Sequence, residues 1–164
     1  GGLWCFPNGS FDYPYYLSAK SKPFALSGAF NQPYFEELID NPDMQKMPAK
    51  GFLATEQRIP GLGNGVLQDI LFRAGLHPKR KIGTLTKEEK SLLPKVLKTT
   101  LREMAELGGR DTERDLFGAF GGYQMQMSKN TAGKPCPKCG ETIVKEAYMG
   151  GSVYYCPNCQ KAPA

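Results

Sequence analysis

Three features are scarce in this 164-residue sequence: histidine, long apolar stretches, and cysteine outside the C-terminal region. The single histidine, His77, leaves no Ser–His–Asp constellation, which argues against a self-sufficient hydrolase and favours a helix-end role for His77 itself. No apolar run approaches the roughly 18 residues that a membrane-spanning helix needs, and no signal-peptide pattern opens the chain. These absences exclude a transmembrane protein and predict no membrane partner.

Positive charge is unevenly distributed along the chain. The net charge is +5, from 21 Lys and Arg against 16 Asp and Glu. Residues 1–60 hold five positive and six negative side chains, whereas residues 73–110 hold ten against four. A basic second half indicates a polyanionic partner, most commonly nucleic acid. A solvated helix face explains the charge alone equally well.

Hydrophobic periodicity predicts a helical centre of the chain. We expect a first helix from Pro33, capped by Asn31 or Gln32, and a short second helix around Phe52. Apolar residues at helical spacing from 66 to 74 predict a third helix. A fourth is expected to begin after Thr86, which forms a capping box with Glu89, and to end at Gly108-Gly109.

The first 17 residues are aromatic and rich in turn formers. Two short apolar runs flank Pro7-Asn8-Gly9, which predicts a β-hairpin. Because two strands alone are marginally stable in water, we interpret this hairpin as the edge of a larger sheet. The chain then divides into a β remnant with linker (1–32), a helical domain (33–128) and a cysteine module (129–164).

Four of the five cysteines lie in a C-x2-C…C-x2-C pattern, formed by Cys136, Cys139, Cys156 and Cys159. Two such pairs supply a tetrahedral thiolate shell, so the spacing predicts one structural zinc, and the residues between them are typical of a β-hairpin. With four protein ligands the metal has no open position for catalysis. Two disulfides are the alternative, but they would leave Cys5 unpaired, and the chain lacks the dense cysteine framework of disulfide domains.

The turn before the third helix contains Gly61, Gly63 and Asn64. Glycine there permits close approach of the backbone to a ligand, and the amides at a helix start bind anions. Asn64 adds a neutral donor. An ordinary helix-to-helix turn with Asn64 as the N-cap is the alternative interpretation.

Three segments of the sequence together resemble the helix–two-turn–helix motif of the formamidopyrimidine-DNA glycosylase/endonuclease VIII family of base-excision repair enzymes. They are residues 50–53, 59–65 and 69–78. The cysteine module is similar to the C-terminal zinc finger of that family. Residues 22–30 resemble its interdomain connector, and residues 2–4 resemble the end of its N-terminal β-sandwich.

The resemblance implies a mainly α fold: a helix–two-turn–helix bundle with a C-terminal four-Cys zinc β-hairpin and an N-terminal remnant hairpin of a missing β-sandwich. It implies the DNA-binding half of a DNA glycosylase/AP lyase for oxidised bases, located in the bacterial cytoplasm and associated with the nucleoid. The implied partners are damaged duplex DNA, held mainly through its phosphates, and the N-terminal catalytic domain. A zinc-ribbon module that binds nucleic acid or protein without damage preference is the alternative function.

The resemblance also implies roles for individual residues. Lys50 and Asn64 match residues that contact DNA phosphate. The phosphate-clamping arginine of the zinc hairpin falls at Gly151, so either glycine amides and the Ser152 hydroxyl bind phosphate here or the finger contributes less. The expected DNA contacts are Lys50, Gly61, Gly63, Asn64, Gly151 and Ser152. The family's proline nucleophile and its glutamate are not in this chain, which begins Gly1-Gly2, so we assign no catalytic residue and expect the chain alone to be inactive.

Overall fold

Five α-helices and one two-stranded sheet form the regular structure of residues 5–7 and 9–163, which the computed structural model describes. The elements are α1 (Pro14–Lys20), α2 (Gln32–Asp40), α3 (Ala49–Ala54), α4 (Asn64–Arg73), α5 (Lys87–Glu106), β1 (Val144–Tyr148) and β2 (Gly151–Tyr155). The strands are antiparallel and form a hairpin, with Val144 opposite Tyr155 and Tyr148 opposite Gly151. None of the described helices is both long and apolar enough to cross a bilayer.

The helix starts that the sequence predicts are confirmed. The Asn31 side chain accepts a hydrogen bond from the Tyr34 amide at 3.0 Å and caps α2. At the start of α5 both bonds of the capping box are present: the Glu89 amide donates to Thr86 Oγ1 at 3.2 Å, and the Thr86 amide donates to Glu89 Oε2 at 2.8 Å. Local side-chain chemistry therefore fixes where these two helices begin.

The hairpin expected near the N-terminus is wrong where the structure describes it. Residues 5–7 and 9–13 contain no strand, and the second apolar run is helix α1. Pro14 occupies the first helical position, where its fixed φ favours helix formation. The rings of Phe6 and Phe11 stack on each other, with centroids 4.6 Å apart. Asn8 and residues 1–4, including the run compared with a β-sandwich, lie outside the described residues.

The turn between α3 and α4 is held by a buried arginine. Arg58 Nη1 donates to the carbonyl oxygens of Gly51 at 3.1 Å and Phe52 at 2.9 Å, which satisfies the C-terminal end of α3. The two preceding residues, Glu56 and Gln57, have φ values of 57° and 47°. This left-handed pair reverses the chain and directs it towards the start of α4.

Helix α4 lies at the centre of the fold and joins two hydrophobic cores. Leu67, Ile70 and Leu71 belong to the main core of the helical region, with side chains from α2, α3 and α5. Phe72 belongs instead to the core of the cysteine module, with Met127, Cys136, Ile143 and Cys156. The side chains from Leu67 to Phe72 are all buried, so any polar residue among them needs a partner within the protein.

Asp69 is one of those buried polar residues. Its carboxylate accepts hydrogen bonds from the Met127 amide at 2.8 Å, the Tyr123 hydroxyl at 2.9 Å and the Gln126 amide at 3.0 Å. Burial raises the pKa of Asp69, although these hydrogen bonds oppose the rise. The carboxylate therefore anchors the irregular connection that leads from α5 to the cysteine module.

The capping box at the start of α5 allows a direct test of local helix stabilisation. Replacing Thr86 with Ala removes the acceptor of the Glu89 amide and should lower the free energy of unfolding by about 1 kcal/mol. Thr99→Ala is the matched control, because Thr99 is exposed within the same helix and makes no cap. Urea denaturation of both variants checks the difference. Equal stability of Thr86→Ala and the unaltered protein would contradict the assignment.

Candidate functional site

The four sulfur atoms of the cysteine module converge on one point. They all lie within 4.8 Å of one another, and Cys139 and Cys156 have their sulfur atoms 3.4 Å apart, while those of Cys136 and Cys159 are 3.9 Å apart. A tetrahedron with Zn–S bonds of about 2.3 Å has edges of about 3.8 Å. A disulfide requires about 2.05 Å, and all four cysteines are free. The geometry fits a single structural zinc and not two disulfides.

The electrostatics of the cluster also fit a cation. Burial, followed by the neighbouring thiols, raises the pKa of Cys159 to about 12. Hydrogen bonds from the Asn158 side chain and the backbone at Glu141 lower the pKa of Cys139 to about 6. Four thiolates this close would repel one another, so a dication is needed to keep all four cysteines deprotonated. Zinc would balance the negative charge of the thiolates and make the module rigid. Because the four cysteines fill every position of a tetrahedral zinc, the ion would have no open position for catalysis.

Two buried glutamines, which sequence reasoning missed, attach the cysteine module to α4 and to the residues just beyond its end. Gln68 Oε1 accepts from the Tyr154 amide at 3.0 Å, and its Nε2 donates to the Ser152 carbonyl oxygen at 3.2 Å. Gln160 Oε1 accepts from the Cys156 amide at 3.0 Å, and its Nε2 donates to the Leu76 carbonyl oxygen at 2.9 Å. The sequence signal for Gln68 is its position inside an apolar helical run.

The attached hairpin brings Lys50, Asn64 and Gly151 together. Asn64 Nδ2 donates to the Ser152 carbonyl oxygen at 3.1 Å. A Cβ atom at Gly151 would lie 3.2 Å from Asn64 Nδ2 and 3.5 Å from Lys50 Nζ. A cavity of about 160 Å³ opens beside these residues, and Lys50, Asn64, Gly150 and Gly151 are among those that line it. Residues about 100 positions apart in the sequence thus form one concave site.

Asn64 is not the N-cap of α4, contrary to the alternative interpretation of this turn. Gly63 occupies the N-cap position, and Asn64 is the first helical residue. The helix start therefore leaves the Asn64 side chain free to contact the zinc hairpin. Gly61, with φ of 80°, and Gly63 are exposed. They shape the turn but do not line the cavity.

Lys50 is buried and bonded to the hairpin turn. Its Nζ donates to the carbonyl oxygens of Tyr148 and Met149 and lies 5.8 Å from the centre of the Tyr148 ring. Only 4% of the residue is exposed, and this burial lowers the pKa of Lys50. The ammonium therefore joins α3 to the zinc hairpin at the edge of the cavity.

Half of the ten cations of residues 73–110 are already paired. Salt bridges join Arg73 to Glu103, Lys79 to Glu146, Arg80 to Glu89, Lys90 to Asp40 and Arg110 to Glu113. The basic segment thus serves partly to connect elements of the fold. His77 is buried after α4, accepts from the Lys79 amide at 3.1 Å and packs edge-on against Tyr155, which fits its helix-end role.

Comparison with known proteins places these features in one family. The family described as Formamidopyrimidine-DNA glycosylase H2TH domain matches residues 23–115, and the zinc finger found in FPG and IleRS matches residues 133–162. The formamidopyrimidine-DNA glycosylase of Cytobacillus firmus is 32% identical over 166 residues, covering 98% of this chain and 58% of the relative. That of Neisseria meningitidis is 38% identical over 150 residues, covering 88% and 53%.

Solved structures show the same similarity. The MutM (Fpg) protein of Thermus thermophilus superposes with a TM-score of 0.80 at 31% identity, covering 96% of this chain and 59% of that protein. Lactococcus lactis Fpg, in complex with DNA that contains an abasic site, gives 0.74 at 26% identity, covering 91% and 55%. This chain thus spans between half and two thirds of the length of these relatives.

Replacing one zinc ligand tests the metal centre. Cys136→Ser removes a thiolate, so the zinc content should fall from one per chain to well below one, and the hairpin should lose its order. Cys5→Ser is the matched control, because Cys5 is exposed and not part of the cluster. Elemental analysis with circular dichroism measures both effects. Full zinc retention by Cys136→Ser would overturn the assignment.

Proposed function

The chain belongs to the formamidopyrimidine-DNA glycosylase family, and on this premise we propose that it is the DNA-binding part of a DNA glycosylase/AP lyase for oxidised bases. The observation that carries the proposal is the convergence of Lys50, Asn64 and the zinc hairpin on one concave site. Its ligand is the phosphate backbone of damaged duplex DNA, in a bacterial cell and at the nucleoid.

The chemistry of the site suits a phosphate. Lys50 contributes an ammonium, and Asn64 contributes an amide with no charge of its own. Helix α4 begins at Asn64, so its first backbone amides have no partner within the helix, and its dipole favours an anion. The hairpin turn completes the wall through Gly150 and Gly151, where the lack of side chains lets a sugar–phosphate backbone approach closely.

The chemical step is proposed to belong to an N-terminal domain of the parent protein. There an amine would attack C1′ of the damaged nucleotide, the base would leave, and the resulting Schiff base would undergo elimination that cuts the strand. The present chain would hold the phosphates beside the everted nucleotide so that C1′ stays within reach of the amine. Fixing the reactants in this way contributes several kcal/mol to such reactions.

Salt dependence of binding tests the phosphate contacts. Lys50→Gln should flatten the plot of log K against log salt by about 0.9, the value for one phosphate contact. Asn64→Ala should weaken binding with little change of slope, because asparagine is uncharged. Lys46→Gln is the matched control, since Lys46 is exposed and makes no salt bridge in the described part of the chain. Fluorescence anisotropy with a duplex carrying one abasic site provides the measurement.

The outcomes separate the proposal from its alternative. Tighter binding of abasic than of intact duplex at equal salt supports a repair function. Equal binding of both would favour a zinc-ribbon module without damage preference. Unchanged slopes for both variants would contradict the phosphate assignment.

Borohydride trapping tests the proposal that the chemical step belongs to the N-terminal domain and not to this chain. The 164-residue chain should bind abasic duplex but form no efficient covalent adduct, because we propose that the attacking amine and the carboxylate for proton transfer belong to the N-terminal domain. Trapping is followed by peptide mapping, with a full-length relative as the positive control. Efficient trapping at one defined amine, with turnover on an oxidised base, would show that this chain is itself an enzyme.

A further inference from the structure

A second groove adjoins the Lys50–Asn64 site. It has a volume of about 330 Å³ and lies between the start of α4, strand β2 and the connection that follows α5. Asn64 lines both this groove and the smaller cavity. The side chains that matter for its chemistry are Arg110, Thr112, Glu113 and Lys129.

Gly65 makes room for the Arg110 guanidinium against the start of α4. A Cβ atom at Gly65 would lie 2.9 Å from Arg110 Cζ and 3.0 Å from Arg110 Nη2. The guanidinium thus rests directly on the second residue of α4, and its side chain is only 14% exposed. Glycine within a helix lowers helix stability by about 1 kcal/mol relative to alanine. Gly65 therefore costs α4 some stability and in return makes room for the guanidinium.

The start of α4 and the Arg110 guanidinium together favour an anion in this groove. The N-terminus of a helix carries partial positive charge, and Arg110 adds a full positive charge beside it. Its carboxylate partner, Glu113, is 69% exposed, and such surface pairs contribute little. Lys129 adds a further cation to the lining. The groove therefore has a surplus of positive charge at a recessed place.

A buried hydroxyl points to the same conclusion. Thr112 Oγ1 is buried in the wall of the groove and has no hydrogen-bond partner among the described residues. A hydroxyl in that position donates readily to an anionic oxygen. Guanidinium, hydroxyl and recessed positive charge together match a phosphodiester, which accepts paired hydrogen bonds from arginine.

We propose that Arg110 binds a second DNA phosphate in this groove, next to the phosphate held by Lys50 and Asn64. This inference rests on the proposed function and names a further residue of the same interface. The proposal also accounts for Gly151. A side chain at this position would meet Asn64 and Lys50, so glycine leaves room for these two residues. The arginine comes instead from the connection after α5.

Charge variants provide the first arm of the test. Arg110→Gln should weaken binding of an abasic duplex about tenfold and flatten the salt plot by about 0.9. Arg110→Lys should weaken binding but keep the slope, since lysine retains the charge and loses the paired geometry. Arg114→Gln is the matched control, because Arg114 lies over Phe120 in the same connection and does not line the groove.

A substitution that changes no charge provides the second arm. Gly65→Ala should displace the guanidinium and weaken DNA binding several-fold in the unaltered protein. In the Arg110→Gln background the same substitution should have no effect, because there is no guanidinium left to displace. A purely structural role of Gly65 predicts instead that the two substitutions act additively.

Each arm of the test has a result that would overturn the inference. Loss of affinity in Arg110→Gln with an unchanged slope would exclude a phosphate contact by Arg110 and would indicate a base contact instead. Additive effects of Gly65→Ala and Arg110→Gln would exclude the role of Gly65 in placing the guanidinium. Lys50→Gln is measured in parallel with the same duplex. If Lys50→Gln flattens the slope and Arg110→Gln does not, this inference fails and the proposed function stands. If the unaltered zinc-loaded chain does not bind, the proposed function fails. Thermal melts and zinc content confirm that each variant folds.

Discussion

The burial of α4 on every side is the constraint on which the rest of the structure depends. A helix between two hydrophobic cores can carry polar side chains only where each finds a partner within the protein. Asp69 and Gln68 meet this requirement by bonding the chain segments that pass over α4, namely the connection at Gln126-Met127 and strand β2 at Tyr154. Burial makes these bonds obligatory, and they in turn hold the connection at Gln126-Met127 and strand β2 against α4.

The zinc hairpin is thereby placed at the start of α4. Zinc closes the two cysteine pairs, while Gln160 joins the second pair to Leu76 just beyond the end of α4. Gln68 and Asn64 then both bond to the Ser152 carbonyl oxygen. Because the metal and α4 hold the same hairpin from opposite ends, loss of zinc would disturb the Asn64 contact without any change in the helix itself.

Features that depend on neighbours in sequence were predictable. The caps at Asn31 and Thr86 and the four-cysteine spacing require only residues a few positions apart, and the structure confirms them. In the described residues the predicted N-terminal hairpin was wrong, because Pro14 favours a helix start where its second strand was expected. The roles of Asp69, Gln68 and Arg110 could not be predicted, since each depends on contacts with segments brought together only by the fold. The resemblance named Lys50 and Asn64, but not their contacts with the hairpin.

Lys50 shows how one side chain can serve the fold and, in the function that we propose, the binding site as well. An ammonium has three donors, and two backbone carbonyls of the hairpin turn, at Tyr148 and Met149, lie within its reach. Lys50 also lines the cavity that Asn64 lines. Burial lowers the pKa of Lys50, whereas an incoming phosphate would favour the charged form. Phosphate binding and attachment of the hairpin therefore stabilise the same protonation state, so a bound DNA backbone would strengthen the contact that shapes its own site.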